Sequence, residues 1–73
     1  MKAEQEILLK LVTDRMPFGK YKDRILADLP VHYLEWFARK GFPPGKLGEK
    51  LALVLEIKSN GLDNILTNLK KLV

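Results

Sequence analysis

Apolar residues recur at helical spacing in four stretches of the chain, separated by segments rich in proline, glycine and charge. The first stretch, residues 3–14, predicts an amphipathic helix, because its apolar residues fall three and four positions apart. Pro17 disfavours helical geometry in the residue before it and therefore ends this segment. The apolar face of the first predicted helix consists of Ile7, Leu8, Leu11 and Val12.

A second helix is predicted to begin at residues 28–30 and to run to about Lys40. Pro30 suits the first helical position, where its missing N–H costs nothing. Gly41 suits the left-handed conformation that follows the last residue of a helix. The inward-facing stripe is expected to consist of Val31, Leu34, Phe37 and Ala38, with Tyr33 and Trp36 flanking it.

A connector with two adjacent prolines leads to a third predicted helix, residues 46–60. Its apolar face is wide, which indicates a central helix that is contacted from more than one side. Gly61 is placed to end this helix in a Schellman motif, with Leu62 packing back on Ile57. A last amphipathic helix is predicted over residues 62–72. The residues of the third helix that are expected to face inward are Leu47, Leu51, Val54, Leu55 and Ile57.

Between the first two predicted helices, residues 15–24 interleave cations with aromatic residues around Gly19, which suits an unusual backbone angle. This basic loop holds four cations and one anion, whereas the rest of the chain holds nine cations against eight anions. Residues 18–26 show no helical period, which predicts a weak β-hairpin or an ordered loop with a turn near Lys22 and Asp23. The predicted fold is mainly α, a compact bundle of about four short helices with the basic loop or a small β-hairpin between helices 1 and 2.

Length and composition narrow the class of protein. The chain has 73 residues, enough for one small globular domain over residues 1–73. It contains no cysteine, which excludes a disulfide framework, thiolate zinc sites and thiol catalysis, and favours a cytoplasmic protein. The first residues mix charged with apolar side chains and lack the continuous apolar core of a signal peptide, and no run is long enough to span a bilayer. The net charge of +4 favours an anionic partner.

The basic loop is the first candidate site. Lys20, Lys22 and Arg24 could contact phosphates while Tyr21 stacks on a base, which predicts that these four residues bind nucleic acid. The competing structural interpretation places Phe18 and Tyr21 in the core and leaves the cations solvated. It is the better one for Phe18, because a small domain needs large apolar residues in its core. For the cations the two interpretations stay balanced.

Asp28, His32 and Glu35 form a second candidate, because their spacing puts three potential metal ligands on one stripe of the second predicted helix. The favoured interpretation is a helix-capping Asp28 and a solvated His32, since metal sites usually draw ligands from more than one element. No metal or cofactor is therefore expected. No catalytic residue is expected either, because His32 has no partner nucleophile in a recognised motif.

Tyr33, Trp36 and Phe42 are a third candidate, an aromatic face that could meet a base or a partner helix. Packing is the favoured interpretation, with Trp36 half buried over the proline connector and Phe42 beneath it. The glycines of residues 41–48 do not form a phosphate-binding loop, because Pro43 and Pro44 lack the N–H groups that such a loop directs at phosphate.

Residues 16–22 read Met-Pro-Phe-Gly-Lys-Tyr-Lys, residues 26–30 Leu-Ala-Asp-Leu-Pro and residues 33–37 Tyr-Leu-Glu-Trp-Phe. Residues 38–43 continue with Ala-Arg-Lys-Gly-Phe-Pro, and residues 56–62 read Glu-Ile-Lys-Ser-Asn-Gly-Leu. Together these segments resemble a family of small bacterial domains labelled "putative quorum-sensing-regulated virulence factor". That resemblance implies a regulatory context and gives no chemistry, because the function of the family is not established.

A weaker resemblance covers residues 18–36, which are similar to the carboxyl-terminal tail of exodeoxyribonuclease X-like enzymes. It implies a module that serves beside a nuclease without supplying catalytic residues. The chain departs from the pattern at Asp23, where a glycine is usual. A turn that needs positive φ is less easy with Asp there, although Asp tolerates positive φ better than most residues.

These observations predict a non-enzymatic, nucleic-acid-associated accessory module that binds nucleic acid weakly and without sequence preference. The alternative is a protein-interaction or regulatory module, related to virulence, whose basic loop meets an acidic protein surface. No membrane partner is expected. The wide apolar face of the third helix and the leucine-rich tail add a homodimer to the expectations, since a small chain gains stability from one.

Overall fold

The computed structural model describes the backbone of residues 2–73 and the side chains of residues 6–73. Four α-helices make up most of this part of the chain, with a short 3₁₀ turn before the second, and the mainly α fold class is confirmed. Among the described residues, none of the helices combines the length and the apolar character needed to cross a membrane. The helices are α1 (Lys2–Leu11), α2 (Val31–Lys40), α3 (Lys46–Ser59) and α4 (Asp63–Lys70), and the 3₁₀ turn spans Leu26–Asp28.

Helix α3 lies at the centre of the molecule, as its wide apolar face predicts. It packs against α1, α2, α4 and the 3₁₀ turn. Leu51, Val54 and Ile57 are buried, while Leu47 and Leu55 are partly buried against the same core. Residues from the segments that connect the helices complete this core, including Met16, Leu26 and Leu29, each 0% exposed.

The two predicted boundaries that differ most from the structure are the end of α1 and the start of α2. Helix α1 ends at Leu11 rather than at residue 14, because the next two amides switch to bonds three residues back, Val12 N–H to the Leu9 carbonyl (3.1 Å) and Thr13 N–H to the Lys10 carbonyl (3.3 Å). Helix α2 begins at Val31, because Asp28 belongs to the 3₁₀ turn and the two residues that follow it, Leu29 and Pro30, are extended.

The predicted inward stripe of α2 is half right. Leu34 and Phe37 are buried, whereas Val31 is 37% exposed and Ala38 is exposed. Helix α2 packs chiefly against α3. A helix with one main neighbour buries only a narrow stripe, and the residues beside that stripe face solvent.

The basic loop is ordered and is not a hairpin. Its ends meet at one isolated antiparallel bridge between Arg15 and Ile25. Met16 N–H donates to the Arg24 carbonyl (2.8 Å), and Asp23 N–H donates to the Met16 carbonyl (2.7 Å), so the buried Met16 anchors both sides of the loop. The turn predicted near Lys22 and Asp23 is confirmed, because Asp23 has φ 72°.

The two ends of α3 depend on glycines for different reasons. Gly61 has φ 69° and completes the predicted Schellman motif, with Leu62 N–H donating to the Ile57 carbonyl (3.0 Å) and Gly61 N–H to the Lys58 carbonyl (3.2 Å). Gly48 is buried, and a Cβ at that position would lie 1.9 Å from the Pro43 carbonyl oxygen. The connector therefore lies directly against the backbone of α3.

Candidate functional site

A cluster of aromatic rings ties the basic loop, α2 and the connector together. Its centre is Phe37, only 7% exposed. The rings of Tyr33 and Trp36 meet the Phe37 ring edge-to-face, each at a centroid distance of 5.1 Å. Phe18 meets it edge-to-face at 6.5 Å, and Phe42 is stacked on it at 6.5 Å with an interplanar angle of 17°. Such pairs stabilise the cluster beyond simple burial.

One side of this cluster opens into a groove of about 470 Å³, called here the aromatic groove. Gly19, Lys20 and His32 complete its lining. Phe18 in the loop is 42% exposed, and Trp36 on α2 is 46% exposed. The rings that line the groove belong to Phe18, Tyr21, Tyr33, Trp36 and Phe37.

Tyr21 joins the loop cations to the groove. Its half-buried ring packs against the Tyr33 ring at a centroid distance of 4.6 Å. The Lys20 Nζ lies 5.7 Å and the Arg24 Cζ 5.3 Å from the centroid of the Tyr21 ring, which are cation–π distances. Burial, with a smaller contribution from Tyr21, raises the pKa of Tyr33.

Gly19 lets the loop approach the groove closely. The expected unusual backbone angle is confirmed, because Gly19 has φ 81°. A Cβ at this position would lie 2.9 Å from the Tyr33 hydroxyl oxygen. That close approach has no signal in the sequence, since the two residues are 14 positions apart and belong to different elements.

The loop cations lie at the surface. Lys20, Lys22 and Arg24 are exposed, and none of them forms an ion pair with any side chain among residues 6–73. Arg15, at the foot of the loop, instead donates to the Asp23 carbonyl (2.8 Å). The predicted binding residues therefore lie together in one loop, with Tyr21 between the cations and the groove.

Three lysines outside the basic loop make contacts within the fold. Lys50 forms an ion pair with Asp14 (2.5 Å), and Lys70 forms one with Asp28. Lys58 donates to the Leu29 carbonyl (2.7 Å). These contacts join α3 and α4 to the segments before and after the basic loop.

Two of the sequence-based expectations for individual residues are wrong. Phe18 is not a core residue, because Phe37 occupies the buried position and Phe18 only meets its edge. Asp28 does not cap α2, since the residue before that helix is Pro30 and no side chain makes the capping hydrogen bond. Asp28 binds Lys70 instead.

The packing expected for Trp36 is confirmed in part. Trp36 is half buried, and Phe42 packs on the core as predicted. The ring between them is Phe37, which contacts both. Trp36 is therefore free to line the groove, which the sequence does not reveal.

Asp28, His32 and Glu35, the candidate metal ligands, do not come together in a metal site, in agreement with the favoured interpretation. Among residues 6–73, no group of three or more His, Asp or Glu side chains comes close enough together to hold a metal ion. His32 is exposed at the edge of the groove, and Glu35 is exposed on α2.

Comparison with known proteins gives a family and two relatives. A family model described as "Putative quorum-sensing-regulated virulence factor" matches residues 4–69. Proteins named "Uncharacterized protein YpeB" from Escherichia coli (strain K12) and Escherichia coli O157:H7 are each 52% identical over 69 residues, covering 93% of this chain and 96% of the relative. No solved structure matches the chain.

Proposed function

This chain belongs to the family described as "Putative quorum-sensing-regulated virulence factor", and because that description names no chemistry, we propose from the site itself that the domain is a non-enzymatic module that binds nucleic acid weakly and without sequence preference. The observation that carries the proposal is the placement of Lys20, Lys22 and Arg24. These three exposed cations lie in one ordered loop beside the aromatic groove, unpaired with any side chain among residues 6–73.

Phosphate binding explains why these cations are presented in this way. A nucleic-acid strand is held by contacts between its phosphates and Lys or Arg, each of which releases counterions. The backbone hydrogen bonds of Met16 fix the ends of the loop, so that the conformational entropy lost on binding comes mainly from the cationic side chains rather than from the loop backbone. The weaker sequence resemblance to a nuclease tail stays a prediction and points in the same direction.

The proposal assigns no catalysis to the domain. The hydroxyls of Thr13 and Thr67 donate to carbonyl oxygens four residues back, those of Leu9 and Asp63. His32 is exposed, and among the described residues no serine, threonine or carboxylate lines the groove with it. Purified protein should therefore leave nucleic acid uncut, and cleavage that disappears in His32→Ala would overturn this part of the proposal.

A salt titration tests the binding. For single strands, each phosphate contact contributes about 0.7 to the slope of log K against log salt. The triple variant with Lys20, Lys22 and Arg24 changed to alanine should therefore lower that slope by about 2 and weaken binding most at low salt. The matched control changes three exposed cations outside the loop and should keep most of the slope, although it removes the same charge. Its positions are Lys10, Lys46 and Lys71.

Equal oligonucleotide affinity in wild type and in a folded loop variant would contradict nucleic-acid binding. The protein-interaction alternative would then take its place, because the same three cations also suit an acidic protein surface. An acidic polypeptide such as polyglutamate is the probe for it, and the loop variant should lose affinity for that probe where the control variant does not.

A further inference from the structure

We propose that the aromatic groove takes an unpaired nucleobase, with Trp36 and Phe18 as the residues that stack on it. This inference rests on the proposed function and names the part of the nucleic acid that the groove recognises. It makes the domain selective for single strands, because the bases of a duplex are already stacked on their neighbours and present no free face.

The burial of the rings is the first argument. Trp36 and Phe18 leave 46% and 42% of their surface exposed, although large rings are the main source of core burial in a small domain. Phe37, which both rings contact, is only 7% exposed. The groove therefore has the buried Phe37 ring at its bottom and two exposed aromatic rings, Phe18 and Trp36, at its sides. Its volume of about 470 Å³ is within the range of small-ligand pockets, about 300–1,000 Å³.

The charge around the groove identifies the kind of ligand. Among the described residues, the lining contains Lys20 and His32 and no carboxylate. A quaternary ammonium or another cation would therefore meet like charge rather than the opposite charge it prefers. The ligand that fits is flat and apolar on its faces and carries negative charge beside them, which describes a base attached to a phosphate chain.

The loop connects the two parts of such a ligand. Phe18 and Lys20 line the groove, and Lys22 and Arg24 follow in the same loop. A strand whose base lies between the exposed rings can therefore extend its neighbouring phosphates along these cations. Base stacking on aromatic side chains is tolerant of sequence, because every base has a π-face. This agrees with binding that has no sequence preference.

Trp36 is also the reporter for the experiment, since it is the single tryptophan of the chain. The probes are oligothymidylate, an abasic oligomer with the same number of phosphates, and a blunt duplex. Oligothymidylate should quench the fluorescence of Trp36 and bind between about 5-fold and 150-fold more tightly than the abasic oligomer. Both single strands should show the same salt slope, because their phosphates are equivalent. The duplex should bind without quenching.

Two variants assign the stacking to the groove. Trp36→Ala should move the affinity for oligothymidylate towards that of the abasic oligomer, because it removes one of the two stacking rings. Phe18→Ala keeps the fluorescent reporter and should reduce both the quenching and the preference for bases. Val31→Ala is the control, because Val31 is exposed on the same helix and does not line the groove.

The outcomes separate this inference from the proposed function. Equal binding of oligothymidylate and the abasic oligomer, with no change in fluorescence, would overturn base recognition and leave phosphate binding in place. Failure of all three probes to bind at low salt would overturn both. Quenching by an acidic, tyrosine-containing peptide in the absence of any oligonucleotide binding would also overturn both, and would assign the groove to a protein ligand.

Discussion

The side of the molecule around α3 and α4 and the side around the basic loop use the same residue types in opposite ways. On the α3–α4 side, three lysines each donate to an oxygen atom of the protein. In the basic loop, Lys20, Lys22 and Arg24 are exposed and form no ion pair with any side chain among residues 6–73. Lys50, Lys58 and Lys70 therefore link parts of the fold, whereas the three loop cations lie at the surface.

The inner face of α3 and the aromatic groove differ in the exposure of their apolar side chains. Leu51 and Val54 on α3 are 0% exposed, whereas the larger rings of Phe18 and Trp36 are nearly half exposed. A chain of 73 residues buries a small fraction of its surface and has little stability to spare. Both rings line the aromatic groove and so form one contiguous apolar patch, which is the feature that the proposed base binding uses.

The largest expected effects come from comparing two residues of α2. Leu34 is fully buried, so Leu34→Ala should lower the free energy of unfolding of the protein by about 2–5 kcal/mol. Trp36 lies two positions away and is 46% exposed, so Trp36→Ala should lower the free energy of unfolding by only about 1 kcal/mol. Urea unfolding of both variants measures the difference. Similar losses would mean that the groove is part of the core, and the contrast between the two sides would be wrong.

The next largest effect is expected at Gly48, on the packed side. Glycine to alanine inside a helix ordinarily stabilises it by about 1 kcal/mol. Here the new Cβ would lie 1.9 Å from the Pro43 carbonyl oxygen, so Gly48→Ala should destabilise the protein by about 1–3 kcal/mol. The control is Asn68→Ala at an exposed position of α4, which should leave stability unchanged or raise it. A Gly48→Ala variant with a higher melting temperature would show that the connector can move away.

A somewhat smaller loss is expected at Gly61, where α3 ends. Its φ of 69° is unfavourable for residues with a branched Cβ, so Gly61→Val should destabilise by about 1–2 kcal/mol. Gly61→Asn is the matched control, because Asn is second only to glycine in how often it adopts this conformation at the end of a helix. Thermal unfolding should rank wild type above Gly61→Asn and Gly61→Asn above Gly61→Val. Equal melting temperatures for all three would remove the argument.

The helices illustrate what the sequence can predict. Their number, and the central position of α3, follow from local periodicity and end signals such as Gly61, because these depend on residues that are close together in the chain. The end of α1 and the start of α2 were predicted less well. There, bonds within the 3₁₀ turn and after Leu11 replace the regular helical pattern.

The candidate site was only partly predictable for a different reason. The cations of the loop can be found from the sequence, because their concentration is a local property. The groove cannot, because it depends on which rings Phe37 covers and which it leaves exposed. Likewise, Gly48 and Gly19 each lie against a residue of another segment, Pro43 and Tyr33 respectively. Such contacts are set by tertiary packing.

On the loop side, Asp23→Gly should raise stability by about 0.5 kcal/mol. Asp23 has φ 72°, and glycine adopts this conformation without strain, although it also increases the entropy of the unfolded chain. Asp23→Ala removes the same charge without easing the backbone and should destabilise. Thermal unfolding of the two variants separates the backbone effect from the charge effect. A destabilised Asp23→Gly variant would mean that the Asp23 side chain itself supports the loop.

The smallest effects are expected in alkaline solution, where the two sides should respond with opposite sign. Burial, with a smaller contribution from Tyr21, raises the pKa of Tyr33 beside the groove. The folded protein then holds this proton more tightly than the unfolded chain does. The stability that Tyr33 contributes is therefore intact below about pH 10 and is lost as the pH rises through the folded pKa.

Burial lowers the pKa of Lys58, an effect that Asp63 and Asp28 partly offset and Lys70 reinforces. Here the unfolded chain holds the proton more tightly, so the contribution of Lys58 to stability rises as the pH increases through the folded pKa towards about 10.4.

Urea midpoints of wild type, Tyr33→Phe and Lys58→Met between about pH 8 and pH 11 measure both effects. As the pH rises, the free energy of unfolding of wild type should fall relative to that of Tyr33→Phe. Over the same range it should rise relative to that of Lys58→Met. Any constant effect of the lost Lys58 hydrogen bond cancels from that trend. Two trends of the same sign would mean that burial does not raise the pKa of Tyr33 and lower that of Lys58 as stated here.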